Sequence, residues 1–367
     1  HDALPIYKNY NYAFIRFTHN ELLHSARAFL EPNYYKNPTI RGTQFMIKYI
    51  LKRLWHSGIL AIVMSLIVFF GLYVVGDPVE MLSDDEFTEQ DKIDLAIELG
   101  LDKPLFEQYF TYAGGMLKGD FGISFVHNRP VLDLILERLP ATIEISLLAM
   151  IIGLAIGIPL GIFSGIKNNS RASKIISFFT TVGYSTPNFW QAIILIMVFA
   201  VFLQWLPASG RGLTNSMFGI EWAWLSLNGL QHMALPAINL AIYKICMQQR
   251  LAKSGTQEIL YQEYMTFARA KGITKNRIIR RHLLRNILIP IVTITGLEIG
   301  GLIAFSTVTE TIFSWPGIGK LLLDSIHMID RPVVVAYLIL ITMMFVFINF
   351  VVDVMYAFLD PRIRHQK

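Results

Sequence analysis

Seven basic side chains fall within the twenty residues FARAKGITKNRIIRRHLLRN at 267–286: Arg269, Lys271, Lys275, Arg277, Arg280, Arg281 and Arg285, with no acid among them. Such a cluster can hold an inner membrane face, dock on an acidic partner or bind phosphate. Glu298 stands alone in the otherwise uncharged run 287–308. A carboxylate in that setting is costly unless it meets water, a cation or a proton. GIGKLLL at 317–323 superficially ends like a phosphate loop, but Leu321 follows Lys320 where that loop needs Ser or Thr. The nine histidines show no metal-ligand spacing, and no serine nucleophile elbow is present. The single cysteine, Cys246, excludes an intrachain disulfide and a cysteine-based metal cluster. No catalytic residue, metal or cofactor is expected on this chain, and it is not expected to be an enzyme.

The elements that must carry these residues follow from composition. Of 367 residues, 53% are hydrophobic and 16% charged, against about 25% charged in a soluble domain. A membrane helix needs about 20 mostly apolar residues. Runs at 58–76, 145–166, 175–206, 230–250, 287–308 and 333–352 meet that need. Pro187 is expected to kink the third, and Lys244 lies near one end of the fourth. The expected fold is all-α, a polytopic membrane protein with six transmembrane helices.

Loop charge sets the orientation. Lys48, Lys52 and Arg53 precede the first span; Lys167, Arg171 and Lys174 follow the second; the basic stretch follows the fourth; Arg362, Arg364 and Lys367 close the chain. These belong to the cytoplasmic side, with both termini. Residues 77–138 carry fourteen acids and five bases and belong outside. The expected divisions are an N-terminal extension at 1–45, a first segment and span at 46–76, an outer loop domain at 77–138 and a core at 139–367. Met46, followed by IKYILKRLW, reads as a natural start, with 1–45 poorly ordered; a genuine cytosolic extension is the other reading.

In the outer loop, Thr88 with Asp91 three residues on signals a helix start, and Gly100 a stop. Its acidity meets a partner or is simply tolerated outside. Gly153, Gly157, Gly161 and Gly165 recur every fourth residue and open one face to close helix packing, within the chain or with a second subunit. In the basic stretch, 267–271 is a short helix, Gly272 a sharp turn, and 275–286 an amphipathic helix. Ile278, Ile279, His282 and Leu283 share one arc there; Arg277, Arg280, Arg281 and Arg285 share the other. Charge alone leaves two readings open, membrane topology or a knob gripped by a partner. Nucleic acid is not expected, because few aromatics are present to stack bases.

TFARAKG at 266–272 and RHLLRNILIP at 281–290 resemble the cytoplasmic coupling loop of ABC importer permeases, and more narrowly the B-type permease of the dipeptide, oligopeptide and nickel transporters. GDPVEML, LGLDKPLFEQY, GDFGISF, RLPATIEIS, ETIFSWPGIGKLL and NFVVDVMYAFLDPRIR resemble further motifs of that family in the same order, over about 46–364. The resemblance implies the type I importer permease fold in a bacterial inner membrane. It also implies a second homologous permease, two ATPase subunits that carry ATP and Mg, and an extracytoplasmic binding protein. The substrate it implies is a peptide, nickel or another small solute. The coupling loop would span about 251–286, with Ala268, Arg269, Ala270, Lys271, Gly272, Arg285, Asn286 and Pro290 docking on an ATPase and small Ala268 and Ala270 allowing close approach. Two departures stand out. Thr266 and Phe267 replace the general Glu-Ala, and Asp330-Arg331 before Pro332 inverts the usual order, which would alter outer-loop contacts.

Glu298 has two readings: it faces the translocation path and selects a positive group, or it is an internal hydrogen-bonded acid. Asp353 is expected to be structural, and Glu144 and Glu310 to reach water near the outer ends. The rival functions are a secondary transporter using Glu298 as proton carrier and a non-transporting scaffold.

Overall fold

The computed structural model describes residues 38–73, 79, 87–98 and 101–359. The expectations for residues 1–37, for Gly100 and for the C-terminal charges lie outside them, as does that for the side chain of Asp353. Contacts divide the chain into two units. The unit His1–Arg53 with Pro361–Lys367 is described only at 38–53, where it is helical. The unit Leu54–Asp360 contains every site described below.

The helices are α1 (Pro38–Tyr73), α2 (Glu89–Glu98), α3 (Leu105–Leu117), α4 (Val131–Ile166), α5 (Arg171–Ser185), α6 (Asn188–Leu195), α7 (Leu227–Leu260), α8 (Glu263–Ala270), α9 (Lys275–Arg277), α10 (Leu284–Phe305), α11 (Thr307–Ile312), α12 (Ile318–His327) and α13 (Arg331–Leu359). Wider π turns continue α6 over Ile196–Phe202 and join α9 to α10 over Ile278–Leu283. A small antiparallel hairpin, β1 (Asn215–Met217) with β2 (Ile220–Trp222), turns through Phe218 and Gly219, both at positive φ, as a two-residue hairpin turn requires. Helix α1 begins at Pro38, ahead of the expected boundary at 45/46.

Four helical stretches are long and apolar enough to cross a membrane: Leu54–Gly71, Val131–Ile166, Lys275–Ile312 and Arg331–Val352. Arg171–Ser185 and Asn188–Phe202 qualify together, bent by 107°. The kink expected at Pro187 is thus a sharp break, bent past perpendicular. Proline cannot continue the amide ladder, and Thr186 before it is extended (φ −81°, ψ 131°). The count of six rests on α7, which is long enough at 34 residues but too polar by itself.

That polarity is absorbed inside the protein. Asn239, Lys244, Gln248, Gln249 and Thr256 of α7 are all buried. Helix α7 starts on a Ser226 cap, whose Oγ accepts from the Gly229 N–H at 2.8 Å. It runs the length of α4, its most extensive partner, and also touches α5 and α10. Helix α4 is longer than its apolar run suggests. Its 36 residues span about 54 Å, well beyond the about 30 Å hydrocarbon core. Its first half packs through Val131, Leu134 and Ile135 on Ile318, Leu321 and Val333 of α12 and α13. Its middle packs through Ala141, Ile145 and Ala149 on Met233, Leu240 and Trp315.

Candidate coupling elbow and mid-membrane polar cluster

Helix α8 ends in a tight reversal. Gly272 has φ +74°, its N–H donates to Arg269 O, and the Ile273 N–H donates to Ala268 O. This pair of bonds is the glycine-dependent helix stop. Thr274 is extended and the chain re-enters helix at Lys275. The amphipathic arcs fall as the periodicity predicts: Ile278 and Leu283 are buried, while Arg277, Arg280, Arg281 and Arg285 are exposed. The second half of the elbow is not a separate short helix. It is continuous with α10, and Leu283, Ile287 and Ile291 form one buried row on Ala252 of α7.

The predicted docking residues divide. Arg269, Ala270, Lys271, Gly272, Arg285, Asn286 and Pro290 are exposed. Ala268 is turned inward with Met265, so its small size serves packing inside this chain rather than approach from outside. Asn286 braces the two halves. Its Nδ2 donates to the Tyr264 hydroxyl at 3.2 Å and to His282 O at 2.7 Å. Tyr264 carried no signal in the sequence, because its partner lies 22 residues away. Among the described residues, none of the seven basic side chains of 267–286 makes an ion pair with an acid of this chain.

The glycine row faces α7 of the same chain. A Cβ on Gly153 would lie 2.6 Å from Lys244 Cβ, and on Gly157, 2.8 Å from Gln248 Cβ. A Cβ on Gly161 would lie 2.5 Å from Gln249 O, and on Gly165, 2.5 Å from Thr256 Cβ. The polar side chains of α7 therefore begin in a groove cut by missing side chains on α4. From it Lys244 reaches Glu298 of α10, Nζ to Oε2 at 3.3 Å, with side chains only 6% and 11% exposed. Gln248 Nε2 donates to Thr295 Oγ1 at 3.2 Å and to Glu298 Oε2 at 3.4 Å. Lys244 is mid-helix, not near an end.

Glu144 and Glu310 do not reach water. Glu144 accepts from Arg211 Nη2 at 3.0 Å and from the Ala223 N–H at 2.5 Å. Glu310 is fully buried. Its Oε1 accepts from Thr142 Oγ1 at 2.6 Å and Ser306 Oγ at 2.8 Å, and its Oε2 from the Lys320 N–H at 2.9 Å. The expectation fails because hydropathy locates a residue along a helix but not the loop folded over it. The SWPGIG turn is fastened there. Trp315 Nε1 donates to Ala141 O at 2.8 Å, and Gly317 lies so close to the Glu310 carboxylate that no Cβ fits. Asp330 accepts from Ser124 Oγ and from the Phe125 N–H, holding the loop before α4 to the start of α13. A further group was not legible in the sequence. Asn239 Nδ2 donates to Asn188 Oδ1 at 2.6 Å and to Thr309 Oγ1 at 3.0 Å, tying α7 to α6 and α11.

The sequence that builds these helices and the elbow matches a known family. Residues 157–365 match the binding-protein-dependent transport system inner membrane component, and residues 46–146 its N-terminal part. The chain belongs to that family. It is therefore a multi-pass inner-membrane permease component of an ABC importer. The di/tripeptide transport system permease protein DppB of Pseudomonas aeruginosa is 38% identical over 308 residues, 80% of this chain and 91% of that one. The dipeptide transport system permease protein DppB of Escherichia coli K12 is 36% identical over 339 residues, 88% of this chain and 100% of that one. A solved inward-facing structure of the MetNI methionine ABC transporter shares the permease fold, with a TM-score of 0.51 at 16% identity over 62% of this chain and 97% of that chain.

Proposed function

We propose that this permease forms half of the translocation path of an ATP-driven importer of short peptides. A binding protein delivers the substrate outside, and a second, homologous permease completes the path. ATP and Mg are held on two separate ATPase subunits, which grip the elbow at Arg269, Ala270, Lys271, Gly272, Arg285 and Asn286. Both termini and the elbow lie in the cytoplasm.

The observation that carries this reading is the elbow itself: seven cationic side chains that pair with no acid among the described residues, on a glycine turn. Its second half runs unbroken into α10. A pull on the elbow is thereby delivered to the helix that holds Glu298 at mid-membrane. ATPase closure would move α10 against α7, biasing the permease between inward- and outward-open states. The peptide substrate is carried over from the relatives named for di- and tripeptides.

The test is capture of the ATPase subunits. Gly272→Val forces a branched side chain into φ +74°, and should abolish copurification of the ATPases while the permease still inserts. Arg269→Glu with Arg285→Glu, both exposed, should weaken the same capture while Gly272 is kept. Full capture and vanadate-sensitive uptake in both variants would refute the elbow's role.

A further inference from the structure

Polar and aromatic groups gather where α5, α7 and α10 meet. Tyr184 and Tyr243 stack with ring centroids 5.2 Å apart and planes at 22°. The Arg250 guanidinium lies 5.1 Å from the Tyr184 ring. Tyr243 and Arg250 are both exposed and lie seven residues apart, on one face of α7. A guanidinium beside two tyrosines on a mid-span face is costly against acyl chains, so this edge faces water or protein. Directly beside it, Lys244 Nζ sits 5.5 Å from the Tyr243 ring and pairs with Glu298.

The pair is not saturated. Gln248 is wholly buried, and its Oε1 has no hydrogen-bond partner; Glu298 Oε1 has none either. Two acceptors are thus left over beside one cation and one anion. A buried unpaired acceptor is unfavourable, and the missing complement is a donor group. An ammonium offers three N–H donors and no acceptor.

We propose that Lys244 and Glu298 form the subsite that reads the two ends of a peptide. Glu298, with Gln248 Oε1, takes the α-ammonium, and Lys244 takes the α-carboxylate. The internal ion pair stands in for the substrate when the path is empty. This rests on the peptide-importer reading above. The exchange conserves charge: a neutral pair meets a net-neutral zwitterion, so no uncompensated charge is buried at any stage. It also fits length. The ends of an extended dipeptide are at most roughly 7 Å apart, a gap that the flexible four-carbon stem of Lys244 can open. The stacked tyrosine rings offer an apolar face to the substrate's own side chains, which accords with selection by termini rather than by sequence.

The assembled transporter with its binding protein, in proteoliposomes, provides the test, with labelled L-alanyl-L-alanine as probe. Glu298→Gln and Lys244→Gln should each lower uptake roughly tenfold or more, while ATP hydrolysis stimulated by the loaded binding protein persists. The exchanged double variant, Lys244→Glu with Glu298→Lys, restores the ion pair. It should recover thermal stability but not uptake, because a peptide in its original direction then meets like charges, and a reversed one sets its carboxylate against the acceptor Gln248 Oε1. Wild-type uptake by the exchanged variant, or by both single variants, would reduce the pair to a structural lock and overturn the subsite. No ATP-dependent dipeptide uptake by the wild type would instead sink the importer reading on which the subsite rests.

Discussion

Asn286 at the start of α10 and Tyr264 on α8 are joined by a 3.2 Å hydrogen bond across the Gly272 turn. The bond links the two arms of the elbow, so movement of α8 is passed to α10 as a unit. Asn286→Ala and Tyr264→Phe should therefore both lower transport per ATP hydrolysed more than they lower ATPase binding. Equal losses in the two readouts would show that the bond serves docking rather than transmission.

The glycine row on α4 predicts a sharp positional contrast. Gly161→Ala places a methyl group 2.5 Å from Gln249 O and 2.6 Å from Ala252 Cβ. The two helices must separate, at a cost of about 1–3 kcal/mol. Gly71→Ala meets nothing within 4 Å and should leave stability unchanged or slightly raised. Thermal unfolding of the two variants in detergent compares them directly.

Glu310 organises three donors from α4, the end of α10 and α12. Glu310→Ala should destabilise severely, because the Thr142 hydroxyl and the Lys320 N–H lose their acceptor at about 1–3 kcal/mol each, while the Ser306 hydroxyl keeps Ile303 O. Glu310→Gln keeps the shape and one carbonyl acceptor, and should fall between. A thermal midpoint in which Ala and Gln variants match the wild type would show the network to be dispensable.

Outside the membrane, Asp91 provides a pH handle on α2. The Thr88 hydroxyl and N–H both donate to its carboxylate, at 2.6 and 2.8 Å, and hold its pKa below the ordinary 3.8. A depressed carboxylate stabilises the folded helix fully above the unfolded pKa. That contribution disappears as pH falls through the lower, folded value. Amide exchange over Glu89–Glu98 should be pH-independent in protection near neutrality and lose protection below about pH 4. Thr88→Val should show the weaker protection already at neutral pH.

Much of this architecture is legible in the chain itself. The uncharged runs locate the spans because transfer into hydrocarbon depends on side-chain identity summed over about 20 neighbours. The capping box at Thr88 and Asp91 and the stop at Gly272 are legible because both arise within a few residues. So is the amphipathic division of 275–286, since helical periodicity alone separates Ile278 and Leu283 from the arginines. The glycine row announced a close helix contact but not its partner, which lies some ninety residues on in α7.

What only the tertiary structure decided is where the buried charges go. Glu144 and Glu310 looked solvated because they lie near span ends. Yet Arg211 and Thr142, 67 and 168 residues away in the chain, close over them. Lys244 looked like an end residue and Glu298 like a lone acid, and folding made them a pair across 54 positions of sequence. Hydropathy and capping are short-range and additive, so the order of residues determines them. The partner of a charge in a low-dielectric interior is set by which helices pack side by side, and the packing, not the local pattern, made these four side chains affordable inside the protein.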